Sequence, residues 1–440
     1  MPEHRPNILF IMTDQQSATM LRCAGNRWVS TPGLDGLAAG GVRFECAYAT
    51  NPVCVPSRFS LQTGRMPSAI GMTQNKSPVT VPDWMLRQTL GQAVRRAGYE
   101  TAYAGKIHLP RPMGASLGQD YALLTKDGRD GCAEACVEFL KRPHERPWFL
   151  FASFINPHDV CHMAINAHAS ATGGRGHENF DSASCEAMLD RARATGDLDA
   201  FVREHAPPLP SNFGIPAGEP DGVGTFLADR HFTRFVRENW TETDWRLHRW
   251  LYCRLTERVD AEIGRVLAQL DQSGLSAKTL VIFTSDHGDH DGAHRLEHKN
   301  LAYEESARVP FFMRLPGAIP AGRVDTEHLV SNGLDLLPTI CDYAGADVPD
   351  GLEGRSLRRL AAPRPVSDWR EHLVIETIAG HAVRSRNHKY FLYDQGARRE
   401  MLVDLRRDPG EMTNLADNAA CRAELERHRG LVDAPVAVCG

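Results

Sequence analysis

The residues best suited to chemistry stand just past apolar runs. Asn7-Ile8-Leu9-Phe10-Ile11-Met12 leads into Thr13-Asp14-Gln15, and Thr279-Leu280-Val281-Ile282-Phe283-Thr284 leads into Ser285-Asp286-His287-Gly288-Asp289. Two carboxylates, an amide oxygen and an imidazole at two strand ends suit a divalent cation, because hard cations favour carboxylate and amide oxygens. In doubly wound sheets, ligands collect beyond such ends. Lys106 and His108 follow Gly105 at alternate positions, so both side chains can leave an extended segment on the same side. His158 follows another apolar run, and Lys299 trails the Asp286 segment. Taken singly, each is an ordinary loop cap or surface charge. The matched pairs at strand ends carry the reading.

A second stretch, Asn51-Pro52-Val53-Cys54-Val55-Pro56-Ser57-Arg58, puts a small nucleophilic side chain at a helix start. Pro56 suits the first helical position, where its missing N–H costs nothing. The residues from Ser57 to Arg65 suit a short helix that ends at Gly64 or just beyond. Unpaired N–H groups and the positive end of the helix dipole favour an anion beside Cys54. Arg58, one turn on, offers a planar fork of donors to the same anion. The plainer readings are a buried free cysteine and a solvated helix charge.

Strands and helices alternate through most of the chain. That predicts an α/β fold: a large domain over 1–365 with a mostly parallel central sheet flanked by helices. Leu251, Leu255, Val259, Ile263, Val266 and Leu270 recur every three or four residues, as in an amphipathic helix. Leu337 to Ala344 reads as a helix with Pro338 in its first turn. From about 160 to 235 the periodicity dissolves, with some helix around 185–205. Loops of that length shape or cover a site; His162, His168, Arg175, His177 and Arg203 are candidates to touch a ligand there. Beyond 366, short strand candidates crowd together. They predict a small C-terminal α+β subdomain over 366–440, an antiparallel sheet with a helix from about 417 to 430.

The chain has 440 residues, 42% of them apolar and 24% charged, as in ordinary globular proteins. A net charge of −5 argues against a nucleic-acid binder. No apolar run is long enough for a signal-peptide core or a membrane span, so the expectation is a cytoplasmic protein with no membrane partner. The 11 cysteines show neither a disulfide spacing nor a CxxC pair. Cys132 and Cys136 share a helical face and read as packing.

The motifs together carry a resemblance. Cys54-Val55-Pro56-Ser57-Arg58 resembles the signature of the type I sulfatases, within the alkaline phosphatase superfamily. Thr13-Asp14-Gln15, Gly64-Arg65, Gly105-Lys106-Ile107-His108, His158, Thr284-Ser285-Asp286-His287-Gly288-Asp289 and Lys299 follow the family's order. So do Tyr303-Glu304-Glu305-Ser306, Val309-Pro310, and a closing segment Asp404-Leu405-Arg406-Arg407-Asp408-Pro409-Gly410-Glu411 with Thr413-Asn414-Leu415. The resemblance implies that Cys54 is oxidised by a maturation enzyme to Cα-formylglycine, present as its hydrate. Asp14, Gln15, Asp286 and His287, with residue 54, would hold one divalent metal ion, calcium ahead of manganese or magnesium. Arg58 and Lys106 would stabilise the formylglycine, and Lys106, Lys299 and His158 would bind the substrate. A metal-held hydroxyl would attack sulfur, with Asp286 taking its proton. His158 or Lys299 would protonate the departing alcohol. His108 would then deprotonate the remaining hydroxyl to release sulfate. Asp14-Gln15 and Asp286-His287 depart from the commoner Asp-Asp and Asp-Asn pairs; fewer carboxylates and a nitrogen ligand weaken the case for calcium and admit manganese.

The activity expected is hydrolysis of a small-molecule, aryl or carbohydrate sulfate monoester. A phosphonate monoester or phosphodiester hydrolase on the same scaffold is the alternative. A non-catalytic anion-binding protein is a further one, should Cys54 stay a thiol. A homo-oligomer through the small C-terminal sheet is compatible with the sequence.

Overall fold

The computed structural model describes residues 5–174 and 181–433, so Arg175 and His177 lie outside the described residues. The strands are β1 (Asn7–Asp14), β2 (Val42–Phe44), β3 (Ala47–Tyr48), β4 (Glu100–Gly105), β5 (Ala122–Thr125), β6 (Trp148–Pro157) and β7 (Thr279–Ser285). They continue with β8 (Phe311–Arg314), β9 (Arg323–Asp325), β10 (Val330–Ser331), β11 (His372–Thr377), β12 (Gly380–Ser385), β13 (His388–Tyr393) and β14 (Glu400–Asp404).

The expected mostly parallel sheet is present, in the order β5-β4-β6-β1-β7-β8-β2-β9. Neighbours run parallel except β8, which is antiparallel to both β7 and β2. Along the central strands, alternate side chains leave opposite faces, and both faces are covered. Ile8, Phe10 and Met12 join Phe149, Phe151, Leu280 and Ile282 on one side. Leu9 and Ile11 join Leu150, Ala152, Val281 and Phe283 on the other. Burial on both sides explains the unbroken apolar runs. Each such Leu, Ile or Phe contributes about 1.5–3 kcal/mol when removed from water.

The amphipathic stretch lies in a helix over Glu242–Gln272, opened by a capping box between Thr241 and Asp244. Val259, Ile263, Val266 and Leu270 pack on the second face of the sheet, beside Cys132 and Cys136, which are core residues as expected. Two expectations about helices need correction. Pro338 is the seventh residue of an Asn332–Ala344 helix, not part of its first turn. The stretch from 160 to 235 is largely helical: Cys161–Thr172, Ser182–Arg193, Leu198–His205, Asp221–Ala228 and His231–Asn239. These segments are too short for their periodicity to stand out. They are held by caps such as Asp181 on Ser184 N and Asp197 on Ala200 N, and by packing of Cys185, Leu189 and Ala192 against Leu251 and Tyr252.

The C-terminal strands form the antiparallel sheet β11-β12-β13-β14. One face, with Ile375, Ala382, Phe391 and Val403, packs on Leu296, Leu301 and Tyr303 of the segment after β7. The other face, with Tyr390 and Leu402, meets Leu425 of the Arg422–Asp433 helix. The closing segment anchors this unit: Glu411 Oε2 accepts the Glu304 N–H at 2.7 Å, and Lys389 Nζ lies 2.7 Å from Glu411 Oε1 and 2.9 Å from Glu304 Oε1. No helix among the described residues is long and apolar enough to cross a membrane.

Candidate active site

Parallel pairing brings the strand ends together. β1 and β7 align Met12 with Thr284 and Thr13 with Ser285, so Asp14 and Asp286 leave neighbouring strands at the same level. β6 pairs Asp14 with Pro157 on the other side and delivers His158. Gln15 turns off the strand at φ 69, a conformation costing a non-glycine residue about 1–3 kcal/mol. The turn aims its N–H at Asp286 Oδ1, 3.1 Å away.

The helix beneath these ends starts at Cys54, three residues earlier than expected, and runs to Thr63, with Gly64 closing it at φ 66. Val53 is its extended N-cap, and Pro56 takes the third position. A proline fits anywhere in the first turn, because none of those N–H groups has an intrahelical partner. Cys54 is thus the first helical residue and is buried. Its Sγ lies 3.2 Å from His287 Nε2, 3.4 Å from Lys299 Nζ and 3.6 Å from Asp14 Oδ1.

Arg58 does not face an anion with a free fork. It donates from Nε to Asp286 Oδ2 and from one terminal nitrogen to Asp14 Oδ2, both at 2.8 Å. Its other terminal nitrogen donates to Ser153 Oγ at 2.9 Å and Lys106 O at 3.0 Å. Lys106 Nζ meets Asp14 Oδ2 at 2.7 Å. Gly105 makes that reach feasible: at φ 97, a Cβ there would sit 2.0 Å from Ser153 O.

With Oδ2 of both carboxylates engaged by cations, Asp14 Oδ1 and Asp286 Oδ1 face inward. His287 Nδ1 lies 2.8 Å from Gly288 O, so its proton sits there and the Nε2 lone pair faces the cluster. Asp14, Cys54, Asp286 and His287 each bring one ligand atom, all within 4.8 Å of one another and buried. Two carboxylates, an imidazole and residue 54 fit a divalent ion. Gln15 approaches from the side. Its Oε1 accepts from Lys299 Nζ at 2.5 Å, and its Nε2 donates to Asp289 Oδ2 at 2.6 Å.

The charges reinforce one another. Burial raises Asp14, but Lys106, His158, Arg58 and Lys299 outweigh it and hold its carboxyl well below the usual range. Burial and the Asp14 charge push Asp286 up to about 6. Burial and Asp14 also raise the Cys54 thiol, yet Lys299, Lys106 and His287 bring it well below an ordinary thiol. Burial, with Lys106 and Lys299, lowers His158 to about 4; its Nε2 stands 4.0 Å from Asp14 Oδ1. Lys299 is raised despite burial, by Cys54, Cys161, Asp14 and Asp286.

Of the expected residues, Asp14, Gln15, Cys54, Arg58, Lys106, His158, Asp286, His287 and Lys299 converge. His108 does not join them. It is exposed, its φ of 42 breaks the extended alternation after Lys106, and it makes no hydrogen bond or ion pair among the described residues. Of the middle-segment candidates, His162 is buried and meets Glu186 Oε1 at 2.7 Å, while Arg203 is exposed. Sequence reasoning missed Ser153 and Asp289. Asp289 sat inside a quoted motif; burial raises it to about 7.

The sequence model of the sulfatase family matches residues 6–111 and 130–346, and that of the C-terminal region of N-sulphoglucosamine sulphohydrolase matches 292–428. The chain is 29% identical to a Delta 4,5-hexuronate-2-O-sulfatase of Bacteroides thetaiotaomicron, covering 98% of this chain and 89% of that protein. It is 28% identical to an arylsulfatase of Clostridium perfringens, covering 97% and 94%. The solved structure of a 2-O GAG sulfatase superposes with a TM-score of 0.79 at 26% identity, covering 98% and 91%. A phosphonate monoester hydrolase of Agrobacterium radiobacter superposes with a TM-score of 0.74 over 97% and 95%; at 21% identity that likeness is one of fold.

Proposed function

Because the chain belongs to the sulfatase family and is a sulfuric ester hydrolase, we propose that it cleaves a carbohydrate sulfate monoester with residue 54, oxidised from cysteine to formylglycine, as nucleophile. The observation that carries the reading is the convergence of Asp14, Asp286, His287, Lys106 and Lys299 on Cys54 Sγ. The carbohydrate assignment is supported by the similarity to the hexuronate sulfatase.

Asp14, Asp286, His287 and residue 54 would hold one divalent ion, with the Gln15 oxygen beside them; the carboxylates suit calcium, magnesium or manganese, and the imidazole weakens the case for calcium. Such an ion supplies positive charge against sulfuryl oxygens and acidifies a nearby hydroxyl. Arg58 keeps both carboxylates ionised and fixed. Lys106 and Lys299 neutralise charge developing on the sulfuryl oxygens, usually the largest contribution to such a reaction. Asp286 accepts the proton of the attacking hydroxyl, and Lys299 or His158 offers an N–H to the departing alcohol. No contact supports giving His108 the proton of the second hydroxyl.

The test is mass spectrometry of the Cys54 peptide from the native host, with turnover of an aryl sulfate and an aryl phosphonate. The aldehyde and a preference for the sulfate are expected. An unconverted thiol in active protein, or preference for the phosphonate, would overturn the reading.

A further inference from the structure

The loop after β7 carries a further carboxylate, Asp289, into the site. At Gly288 the chain passes so close to the next turn that a Cβ there would sit 2.0 Å from Glu305 O, and the Gly288 N–H donates to Ser306 O at 2.7 Å. The loop then doubles back. His290 N–H donates to His298 O at 2.9 Å, so Asp289 and Lys299 flank that contact on the two arms. Asn300 N–H donates to Pro52 O at 3.0 Å and ties the second arm to the turn before Cys54.

Gln15 joins the two arms. Its backbone is held by Tyr252, whose hydroxyl donates to Gln15 O at 2.6 Å. Its Nε2 donates to Asp289 Oδ2 at 2.6 Å and to Cys161 Sγ at 3.0 Å, and its Oε1 accepts from Lys299 Nζ at 2.5 Å. Gln15, Asp289 and Lys299 are all buried.

The network admits one orientation of the amide. An ammonium has donors only, so the Gln15 atom that faces Lys299 is the oxygen, and the NH2 group is left for Asp289 and Cys161. Asp289 accepts at both ends, because its Oδ1 takes the Asp291 N–H at 2.7 Å. Neither of its oxygens can be exchanged for a donor without setting donor against donor. The amide is therefore fixed at both ends. Lys299 Nζ, 3.4 Å from Cys54 Sγ, is fixed with it.

We propose that Asp289 is a positioning residue for the reaction on sulfur: it locks the Gln15 amide, whose oxygen anchors Lys299 against residue 54. The proposal rests on the sulfate ester reading above and gives a role to a carboxylate outside the four groups that face the cation.

The partnership can be reversed at constant shape and charge. Asp289→Asn keeps an acceptor for the Asp291 N–H but turns an NH2 group toward that of Gln15. Gln15→Glu sets a carboxylate oxygen where Nε2 now lies, 2.6 Å from Asp289 Oδ2. Together the two changes restore one N–H···O bond with donor and acceptor exchanged.

The experiment measures kcat/KM for 4-methylumbelliferyl sulfate, and the Kd of inorganic sulfate by titration calorimetry, in the wild type, both single variants and the double variant. Each single variant should lose roughly 10- to 100-fold in kcat/KM, as when the outer hydrogen-bond partner of an active-site group is removed. Each should also bind sulfate more weakly, because Lys299 is no longer held. The double variant should regain about tenfold over the poorer single variant, since the two positions act as one unit. A merely structural role for Asp289 gives no such recovery. Wild-type turnover and sulfate affinity in Asp289→Asn would overturn the proposal, and so would a double variant whose losses multiply. Should Asp289→Asn fold poorly, Gln15→Glu still decides: the double variant must surpass it. Wild-type protein that binds sulfate but cleaves no sulfate ester would sink the parent reading, while the order of sulfate affinities would still judge this one.

Discussion

Arg58→Met deletes a buried cation while keeping much of the side chain's length. The guanidinium is 2% exposed and spans Asp14 and Asp286 with two contacts of 2.8 Å. In its absence Lys106 still neutralises Asp14, but among the described residues Asp286 keeps no lysine or arginine in an ion pair. Removing one partner of a buried ion pair costs about 3–5 kcal/mol, because the other charge stays desolvated and unpaired. For 440 residues at about 2.1 cal/mol/K each, the unfolding entropy is about 0.9 kcal/mol/K, so the melting temperature should fall by about 3–5 °C. The assay is scanning calorimetry with chelator present. Restoring a divalent cation should shrink the difference, since the ion takes over part of the neutralisation of the same carboxylates. Turnover should drop by about 100-fold or more even with the cation restored, as expected when reacting groups shift by about an ångström. An unchanged melt in chelator, or a deficit that grows when the cation returns, would refute the electrostatic reasoning.

Three other outcomes are expected. Gly105→Ala puts a Cβ 2.0 Å from Ser153 O at φ 97, so it should cost at least about 1–3 kcal/mol and also impair turnover by displacing Lys106; a melt and a kcat/KM equal to wild type would contradict this. Asp260 caps Gly33 and Leu34 from the Glu242–Gln272 helix, and burial outweighs those two N–H donors to push its carboxyl up to about 6 from 3.8. Its folded pKa is raised, so its contribution is complete below about pH 4 and is lost as pH rises to about 6. The decline is at most about 3 kcal/mol, and it should vanish from the stability–pH curve of Asp260→Asn. Exhaustive chelation should abolish hydrolysis, and calcium, manganese or magnesium should restore it. Protein shown by elemental analysis to be metal-free, yet fully active, would rule out a cation at Asp14, Asp286 and His287.

Much of this molecule is legible in one dimension, and the reasons are local. The runs at Ile8, Phe149 and Leu280 announce central strands because helices cover both faces of the sheet, leaving no polar alternation. Asp14, His158 and Asp286 could be named from position alone, because parallel strands discharge their C-terminal residues on one edge. The small antiparallel sheet was visible in the crowding of short strands. The start of the Cys54 helix was not, because Pro56 is equally at home at any first-turn position. The middle segment concealed its helices for another reason: each is short and held by tertiary packing, so its own pattern is faint.

Partnership is what only the folded chain decides. Nothing in the order of residues says that Arg58 serves two carboxylates 44 and 228 positions away, that His287 turns its Nε2 toward Cys54, or that His108 stands apart from Lys106. Residue type and spacing determine which groups a chain can offer; strand register, burial and the cation each carboxylate meets determine which of them act together.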